Sequence, residues 1–131
     1  MIEYASHLEG VEPEQLAGFF VDWPRPPSTE RHLEILRGSG HVVLAKDGER
    51  IVGFVTAISD GVLSAYIPLL EVLPEYQHRG IGTELVRRLL AQLGDLYMVD
   101  LCCDEDVVPF YERLGLRRWD AAMGIRNRDA L

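Results

Sequence analysis

A short glycine-containing turn, placed between a strand pattern and a helix pattern, is the segment best suited to carry chemistry. It consists of Gln77-His78-Arg79-Gly80-Ile81-Gly82-Thr83. Such a turn presents consecutive backbone N–H groups at the positive end of a helix dipole, which suits a phosphate or pyrophosphate group. It is neither a Walker loop, because no lysine follows Gly82, nor a dinucleotide-binding fingerprint, because Leu85 occupies the third glycine position and no βαβ unit surrounds it. Taken alone, the glycine spacing is also compatible with an ordinary turn.

Cys102 and Cys103 are the only cysteines and form a second candidate for chemistry. A cysteine nucleophile would allow transfer through an acyl-enzyme. No His–Asp arrangement accompanies the pair, so we expect buried strand residues, the commoner environment of free cysteine. Neighbouring strand residues point to opposite faces, so we expect no disulfide between them, and no spacing typical of a metal site is present.

The elements that must position this turn begin with three strand patterns. They cover His41 to Lys46, Arg50 to Ser59 and Val62 to Leu73, and the dipeptides Asp47-Gly48 and Asp60-Gly61 join them. Both dipeptides are strong hairpin signals, so the pattern predicts an antiparallel meander of three strands. Pro68 lies inside the third strand, where it removes a backbone donor. It therefore predicts a bulge or a strand that is unpaired on that side.

Helical patterns precede the meander. We expect a first helix from Pro13 that buries apolar residues as far as Trp23 on one side. A second helix should begin with Ser28 or Thr29 as its cap and end near Gly38.

Alternating elements follow the meander. The apolar stripe over Gly80 to Leu93 predicts a helix, and Tyr97 to Cys103 reads as a strand. Negative charge at residues 104–106 favours the start of another helix, which runs to Leu114, and Arg117 to Arg126 reads as a last strand. The order is α-α-β-β-β-α-β-α-β, with room for a short first strand, and it predicts a mixed α+β fold.

Length and composition indicate one globular domain over residues 1–131. Thirteen basic and twenty-one acidic residues give a net charge of −8, which disfavours nucleic acid as a partner. No apolar run approaches the length of a membrane span, and the N-terminus shows no secretory pattern. We therefore expect no membrane partner and a cytoplasmic location.

Two motifs together resemble the GNAT family of acetyl-CoA-dependent N-acetyltransferases. Residues 70–82 are similar to the family's acetyl-CoA-binding motif, Gln/Arg-x-x-Gly-x-Gly/Ala, which opens a helix after a bulged strand. Pro109 to Leu116 is similar to its second landmark, an aromatic-Tyr-x-x-x-Gly-Phe/Leu helix end. The resemblance covers roughly residues 41–126, and the order of elements agrees over the whole chain. It implies a single GNAT-like domain, with a mostly antiparallel mixed sheet, helices on both faces, and strands that splay at a bulge to admit CoA.

The resemblance also implies a cofactor site for acetyl-CoA, and no metal. The backbone of Leu70 and Val72 would pair with the pantetheine arm, and the Leu70 N–H would polarise the acetyl carbonyl. The pyrophosphate would lie on the N–H groups from Gln77 to Thr83, with the Arg79 side chain adding charge there. The His78 side chain would reach either the phosphate or solvent. Phe110 and Asp104 complete the set, although Asp104 stands where many members carry an asparagine that contacts CoA, which leaves its role open.

For catalysis the resemblance implies that Tyr111 is the general acid that protonates the departing CoA thiolate; the alternative is a tyrosine that packs its ring beside Phe110. An amine acceptor must lose a proton before it attacks, and Glu71 is a candidate base. The alternative for Glu71 is a solvated or structural carboxylate. A water chain through Tyr66 is the other candidate route for the proton.

The function implied is direct transfer of an acetyl group from acetyl-CoA to an amine. We expect the acceptor site to be lined by Tyr66 and the Phe19–Pro27 segment, where acidic residues favour a cationic amine. A small amine, an amino-acid derivative and a peptide N-terminus all stay open as acceptors. The alternative function is a non-catalytic module that binds or senses acyl-CoA. Many family members are dimers, and a homodimer is left open.

Overall fold

A five-stranded sheet is the centre of the fold in the computed structural model, which describes residues 1–119 and 121–130. The strands follow one another in chain order across the sheet. All neighbours pair antiparallel except the last two, which are parallel. The elements are β1 (Ile2–Ala5), α1 (Thr29–Gly38), β2 (His41–Asp47), β3 (Arg50–Ser59), β4 (Ser64–Val72), α2 (Ile81–Gln92), β5 (Met98–Asp100) and α3 (Val108–Glu112), with 3-10 turns at Pro13–Leu16, Pro74–Tyr76, Glu105–Val107 and Arg128–Ala130.

The meander over β2, β3 and β4 is confirmed. The turn between β2 and β3 contains Gly48 with a φ of 62°, a left-handed conformation that glycine adopts without strain. In the next turn, Oδ1 of Asp60 accepts hydrogen bonds from the N–H groups of Val62, Leu63 and Ser64 at 2.9, 2.8 and 3.2 Å. Each connection is therefore stabilised by the residue type that predicted it.

Helices cover both faces of the sheet, as predicted. Gly53 and Phe54 are neighbours on β3, so they face opposite sides. A Cβ placed on Gly53 would lie 3.1 Å from Cδ1 of Leu85, so α2 packs closely on that side. Phe54 contacts the aromatic rings of Phe19 and His32 on the other side, where α1 and the preceding loop lie.

The two longer helices begin and end close to their predicted limits. The Ser28 side chain accepts a hydrogen bond from the N–H of Arg31 at 3.1 Å and caps α1. Helix α2 buries Ile81, Leu85, Val86 and Leu89, which are members of the predicted stripe. Within the described ranges, no helix has the length and apolar character needed to cross a membrane.

The predicted first helix is wrong beyond its first turn. Only Pro13–Leu16 is helical, and it is a 3-10 turn. Phe20 and Asp22 have φ values of 62° and 66°, in the left-handed region that a right-handed helix excludes. Phe19 and Phe20 are nevertheless buried, whereas Trp23 keeps 40% of its surface exposed.

The C-terminal predictions also need correction. The predicted strand from Arg117 to Arg126 forms no strand in the described residues, and its member Asp120 lies outside them. The apolar residues Met123 and Ile125 of its alternating pattern are exposed, so no buried face holds them in register. Strand β5 is shorter than predicted and ends at Asp100, because it pairs with β4 over three residues only. The helix predicted to run to Leu114 is a 3-10 turn followed by the short α3.

Cys102 and Cys103 lie beyond the end of β5 and are exposed, so the expectation of buried strand cysteines is wrong. Partial desolvation of the sulfur, followed by the nearby charge of Asp104, raises the pKa of the Cys103 thiol. A raised pKa leaves less of the nucleophilic thiolate at neutral pH. The structure therefore gives no support to a cysteine nucleophile at Cys103.

His32 is buried among aromatic rings on the α1 side of the sheet. Its ring centroid lies 4.5 Å from that of Phe54, 4.9 Å from Phe20 and 5.4 Å from Phe19. Neither ring nitrogen has a hydrogen-bond partner among the described residues. Burial lowers the pKa of His32 to about 4, because the charged form would lose its hydration.

This burial predicts a loss of stability in acid. Unfolded His32 takes up a proton as the pH falls through about 6.5, whereas the folded residue stays neutral until about pH 4. The stability that the folded state gains from keeping His32 neutral is fully present above pH 6.5. About 2 kcal/mol of the free energy of unfolding should be lost between pH 7.5 and pH 5. Urea unfolding at both pH values measures this loss in the wild type. His32→Leu should lose correspondingly less stability over this interval, whereas the exposed control His7→Gln should behave as the wild type; equal losses in all three proteins would contradict the prediction.

Candidate active site

The site is centred on a fork between β4 and β5. The two strands pair from Ser64 to Tyr66 on β4, and the last pair joins Tyr66 to Asp100. Opposite Thr56–Ile58 of β3, strand β4 carries one extra residue next to Pro68, which confirms the predicted bulge. Beyond the bulge, β4 continues along β3 but has no pairing with β5 among the described residues. The strands therefore separate after their first three paired residues.

Two backbone amides of β4 face the open side of this fork. The N–H of Leu73 donates to the Val52 carbonyl on β3 at 2.9 Å. Since successive peptide groups of a strand alternate in direction, Leu70 and Val72 direct their N–H groups away from β3. The structure thus places these two predicted cofactor-binding residues where a ligand can continue the sheet.

The turn that follows presents a run of free backbone donors. His78 and Gly80 have φ values of 64° and 81°, and these left-handed residues turn the chain into α2. In the described part of the chain, no N–H group from His78 to Thr83 donates a hydrogen bond to the protein. The Gln77 N–H instead donates to the Pro74 carbonyl at 3.3 Å, so the donor run begins one residue later than the resemblance implies. This arrangement, at the N-terminus of a helix, suits a phosphate group.

Side chains around the turn hold its shape. The Gln77 side chain donates to the Val72 carbonyl at 3.1 Å and so connects the turn to the end of β4. The Arg79 side chain donates to the Glu75 carbonyl at 3.1 Å, and its guanidinium lies 5.0 Å from the ring centre of Tyr76. The Arg79 charge therefore stays beside the turn.

A second set of contacts fixes the turn to the meander. The Tyr76 hydroxyl donates to Oδ2 of Asp47 at 2.6 Å, and Arg50 pairs with Glu75 at 2.9 Å. Sequence reasoning missed both contacts, because each joins residues 25 or more positions apart and neither belongs to a motif.

Helix α3 places two predicted residues next to the start of α2. A Cβ on Gly82 would lie 3.6 Å from Cζ of Phe110, an ordinary contact distance, so the Phe110 ring packs directly beside the start of α2. The Phe110 and Tyr111 rings meet edge to face, with centres 5.0 Å apart. Burial, and then the nearby Cys103 thiol, raises the pKa of Tyr111 to about 12. Asp104 is exposed just before the 3-10 turn that leads to α3, and its side chain makes no capping hydrogen bond.

Tyr66 lies at the base of the fork, with 41% of its surface exposed. A hydrogen bond with the Cys102 side chain is the main cause that raises the pKa of the Tyr66 phenol.

A shallow groove of about 290 Å³ opens beside Tyr66, and its walls include Ile58, Met98 and Asp100. A larger cavity of about 790 Å³ lies against β5, α3 and the following segment; it includes Tyr111 but none of the turn residues 77–83. The smaller groove adjoins the fork and is the better candidate for a second substrate.

The Glu71 carboxylate is bound by backbone N–H groups. Its Oε1 accepts from Phe20 at 2.8 Å and from Val21 at 3.3 Å, and its Oε2 accepts from Phe20 at 2.9 Å. These partners are 50 and 51 positions away, so no local pattern could have indicated them. The structure brings Glu71 against the loop before α1 rather than into the open fork.

Comparison with known proteins agrees with this geometry. The model of the acetyltransferase (GNAT) family matches residues 8–116. A solved structure of a candidate acetyltransferase from Deinococcus radiodurans R1 is 54% identical, has a TM-score of 0.94 and covers 98% of this chain and 90% of that one. An uncharacterized N-acetyltransferase of Porphyra purpurea is 29% identical over 120 residues, which are 86% of this chain and 68% of the relative.

A chloroplastic GCN5-related N-acetyltransferase of Arabidopsis thaliana is 40% identical over 76 residues, which are 56% of this chain. The matched part is only 32% of the Arabidopsis protein, so this chain corresponds to about a third of that relative's length. The residues that the family model matches, 8–116, include the fork and the turn.

The free amides of the turn lead to a prediction for Gly80. A Cβ there meets no atom within 4 Å, so Gly80→Ala changes backbone strain and the approach of a ligand without a steric clash in the protein. Gly61→Ala is a matched control, because Gly61 has a φ of 77° and equally open surroundings far from the turn. Both variants should lose roughly 1 kcal/mol of stability, and only Gly80→Ala should weaken CoA binding, by about tenfold. Calorimetric titration with CoA measures the difference, and equal affinities would contradict the phosphate assignment.

Proposed function

Because the chain belongs to the GNAT family of acetyltransferases, we propose that it transfers the acetyl group of acetyl-CoA directly to an amine. One observation supports this most strongly. Along a single chain segment, two backbone amides face the open fork, and a run of free backbone amides then follows at the start of α2. Acetyl-CoA has the matching chemistry in the same order, with a thioester, an amide-containing arm and a pyrophosphate.

In this proposal the thioester lies in the fork. The Leu70 N–H hydrogen-bonds the acetyl oxygen, and the Val72 N–H pairs with the pantetheine arm. When the amine attacks, negative charge develops on that oxygen, and a backbone donor already aimed at it stabilises the transition state by about 3 kcal/mol. The pyrophosphate occupies the donor run from His78 to Thr83, with the Arg79 charge beside it.

Tyr111 acts on the leaving group in this mechanism. A CoA thiol should have a pKa of about 8.5 by analogy with cysteine, whereas the pKa of the buried Tyr111 is about 12. Complete transfer of the phenol proton to the thiolate is therefore uphill by roughly 5 kcal/mol. We infer that Tyr111 donates a hydrogen bond to the sulfur while the C–S bond breaks, and that solvent later protonates the free thiolate.

The acceptor amine approaches from the groove beside Tyr66. A primary amine is mostly an ammonium ion at neutral pH and must release a proton before attack. The exposed Tyr66 gives that proton a route to solvent, through water rather than through the phenolate, because the pKa of Tyr66 is raised. Asp100 on the groove wall favours a cationic acceptor over a neutral or anionic one. Small amines, amino-acid derivatives and peptide N-termini all fit this chemistry.

Binding of the cofactor is the first test. Calorimetric titration with acetyl-CoA, and with CoA in parallel, should show binding in the micromolar range. Thiol release should then follow with one member of a panel of alkylamines, amino-acid amides and short peptides. Binding without thiol release from any amine would favour a non-catalytic module that senses acyl-CoA, and no binding at millimolar ligand would contradict the proposal.

Tyr111→Phe tests the leaving-group role. The variant should lower kcat by at least about tenfold, because it removes the hydrogen bond made as the sulfur departs, while the affinity for acetyl-CoA stays nearly unchanged. Tyr97→Phe is the control, since Tyr97 keeps 85% of its surface exposed. The kcat of the wild type should show no ionisation of Tyr111 between pH 6 and pH 10. An unchanged kcat in Tyr111→Phe would remove this residue from the mechanism.

A further inference from the structure

We propose that Glu71 is a positioning residue that holds the loop Phe20–Trp23, part of the segment expected to line the acceptor site, against strand β4, and that it is not the general base. The inference rests on the proposed function, because it concerns the acceptor site of that reaction. Glu71 pairs with Phe54 across β3 and β4, so both side chains lie on the sheet face that carries α1. The loop that includes Phe19 and Phe20 packs on the same face.

Both oxygens of the carboxylate are engaged by the loop where they lie. Both of its oxygens accept from the Phe20 N–H, and Oε1 also accepts from the Val21 N–H. To reach an amine in the fork, the Glu71 carboxylate would have to turn away from these donors. That movement would leave two backbone N–H groups of a partly buried loop without an acceptor, which is costly. A base must exchange protons in every catalytic cycle, and this geometry opposes such exchange.

The loop needs an acceptor of this kind because its backbone is strained. Phe20 and Asp22 both have left-handed φ values, which are rare for residues other than glycine. The Phe20 ring is buried and packs on His32 and Trp23, and its carbonyl accepts from the Trp23 N–H at 3.2 Å. The Phe20–Trp23 hydrogen bond thus closes the turn, and Glu71 accepts from the remaining N–H groups of Phe20 and Val21.

This contact connects the strand whose amides face the fork with the loop expected to line the acceptor site. Glu71 stands between Leu70 and Val72, whose amides face the fork, and its side chain reaches the loop that exposes Asp22 and Trp23. A change at Glu71 is therefore expected to displace the loop Phe20–Trp23. The Leu70 and Val72 amides should stay in place, because β4 still pairs with β3.

Two substitutions at Glu71 separate the roles. Glu71→Gln keeps an oxygen that accepts from Phe20 and Val21 but cannot accept a proton as a base does. We expect it to keep kcat within about threefold and to keep the pH profile, whereas loss of a general base would lower kcat by about 100-fold or more. Glu71→Ala should raise the KM of the acceptor at least about tenfold, because the loop is released, and should leave the KM of acetyl-CoA unchanged.

Trp23 fluorescence gives a readout that does not depend on turnover. In a Trp119→Phe background, which leaves Trp23 as the only tryptophan, Glu71→Ala should shift the emission to the red and increase iodide quenching. Glu71→Gln should match the parent protein. Glu14→Ala is the matched control, because Glu14 is an exposed carboxylate in the neighbouring 3-10 turn.

The outcomes distinguish this inference from the proposed function. If Glu71→Gln loses kcat as severely as a base variant while Trp23 emission is unchanged, Glu71 is the base and the inference is wrong. If Glu71→Ala leaves Trp23 emission and quenching unchanged, the loop does not depend on Glu71 and the inference is also wrong. If the wild type releases no thiol with any amine, the proposed function fails, and the fluorescence of the two variants still decides whether Glu71 holds the loop.

Discussion

The separation of β4 from β5 is the constraint on which the site depends. If β4 paired with β5 along its whole length, every backbone donor of β4 would be used within the sheet. Here the bulge beside Pro68 changes the course of β4, and pairing with β5 ends at Tyr66 and Asp100. The amides of Leu70 and Val72 are consequently left for a ligand. A backbone donor of this kind cannot be lost by substitution of a side chain, so the chemistry depends on strand geometry more than on residue identity.

The open fork leaves one edge of β4 without a paired strand, and contacts with other parts of the chain hold β4 in place. Strand β3 continues to pair with β4 as far as Val72. The Gln77 side chain binds the Val72 carbonyl, and Glu71 joins β4 to the loop before α1. Each contact comes from a different part of the chain, so β4 stays fixed without a partner in the fork. The side chains of Gln77 and Glu71 therefore hold the strand in position, and the Glu71 carboxylate is directed to the loop rather than into the fork.

Local patterns predicted those parts of the fold that local physics determines. The Asp-Gly turns, the stripe of α2 and the bulge at Pro68 each follow from residue type and spacing, and each is confirmed. The contact between Glu71 and Phe20 spans 51 positions and left no local signal. The same contact is made by the loop whose left-handed residues interrupt the predicted first helix. Tertiary contacts there prevented the helix that the spacing of apolar residues predicted. At the C-terminus an alternating pattern alone did not produce a strand, because Met123 and Ile125 found no surface to cover.

The two tyrosines of the site show why acyl transfer here needs little proton chemistry from side chains. A thiolate is already a good leaving group near neutral pH, so Tyr111 has no need of a low pKa, and its burial raises the pKa to about 12. Tyr66 is exposed, its pKa is raised as well, and it lines the groove from which the amine approaches in the proposed mechanism. Neither phenol ionises at working pH. In the proposed mechanism, rate acceleration comes from holding the thioester on backbone donors with the amine beside it, and the fork and the loop bound by Glu71 supply that positioning.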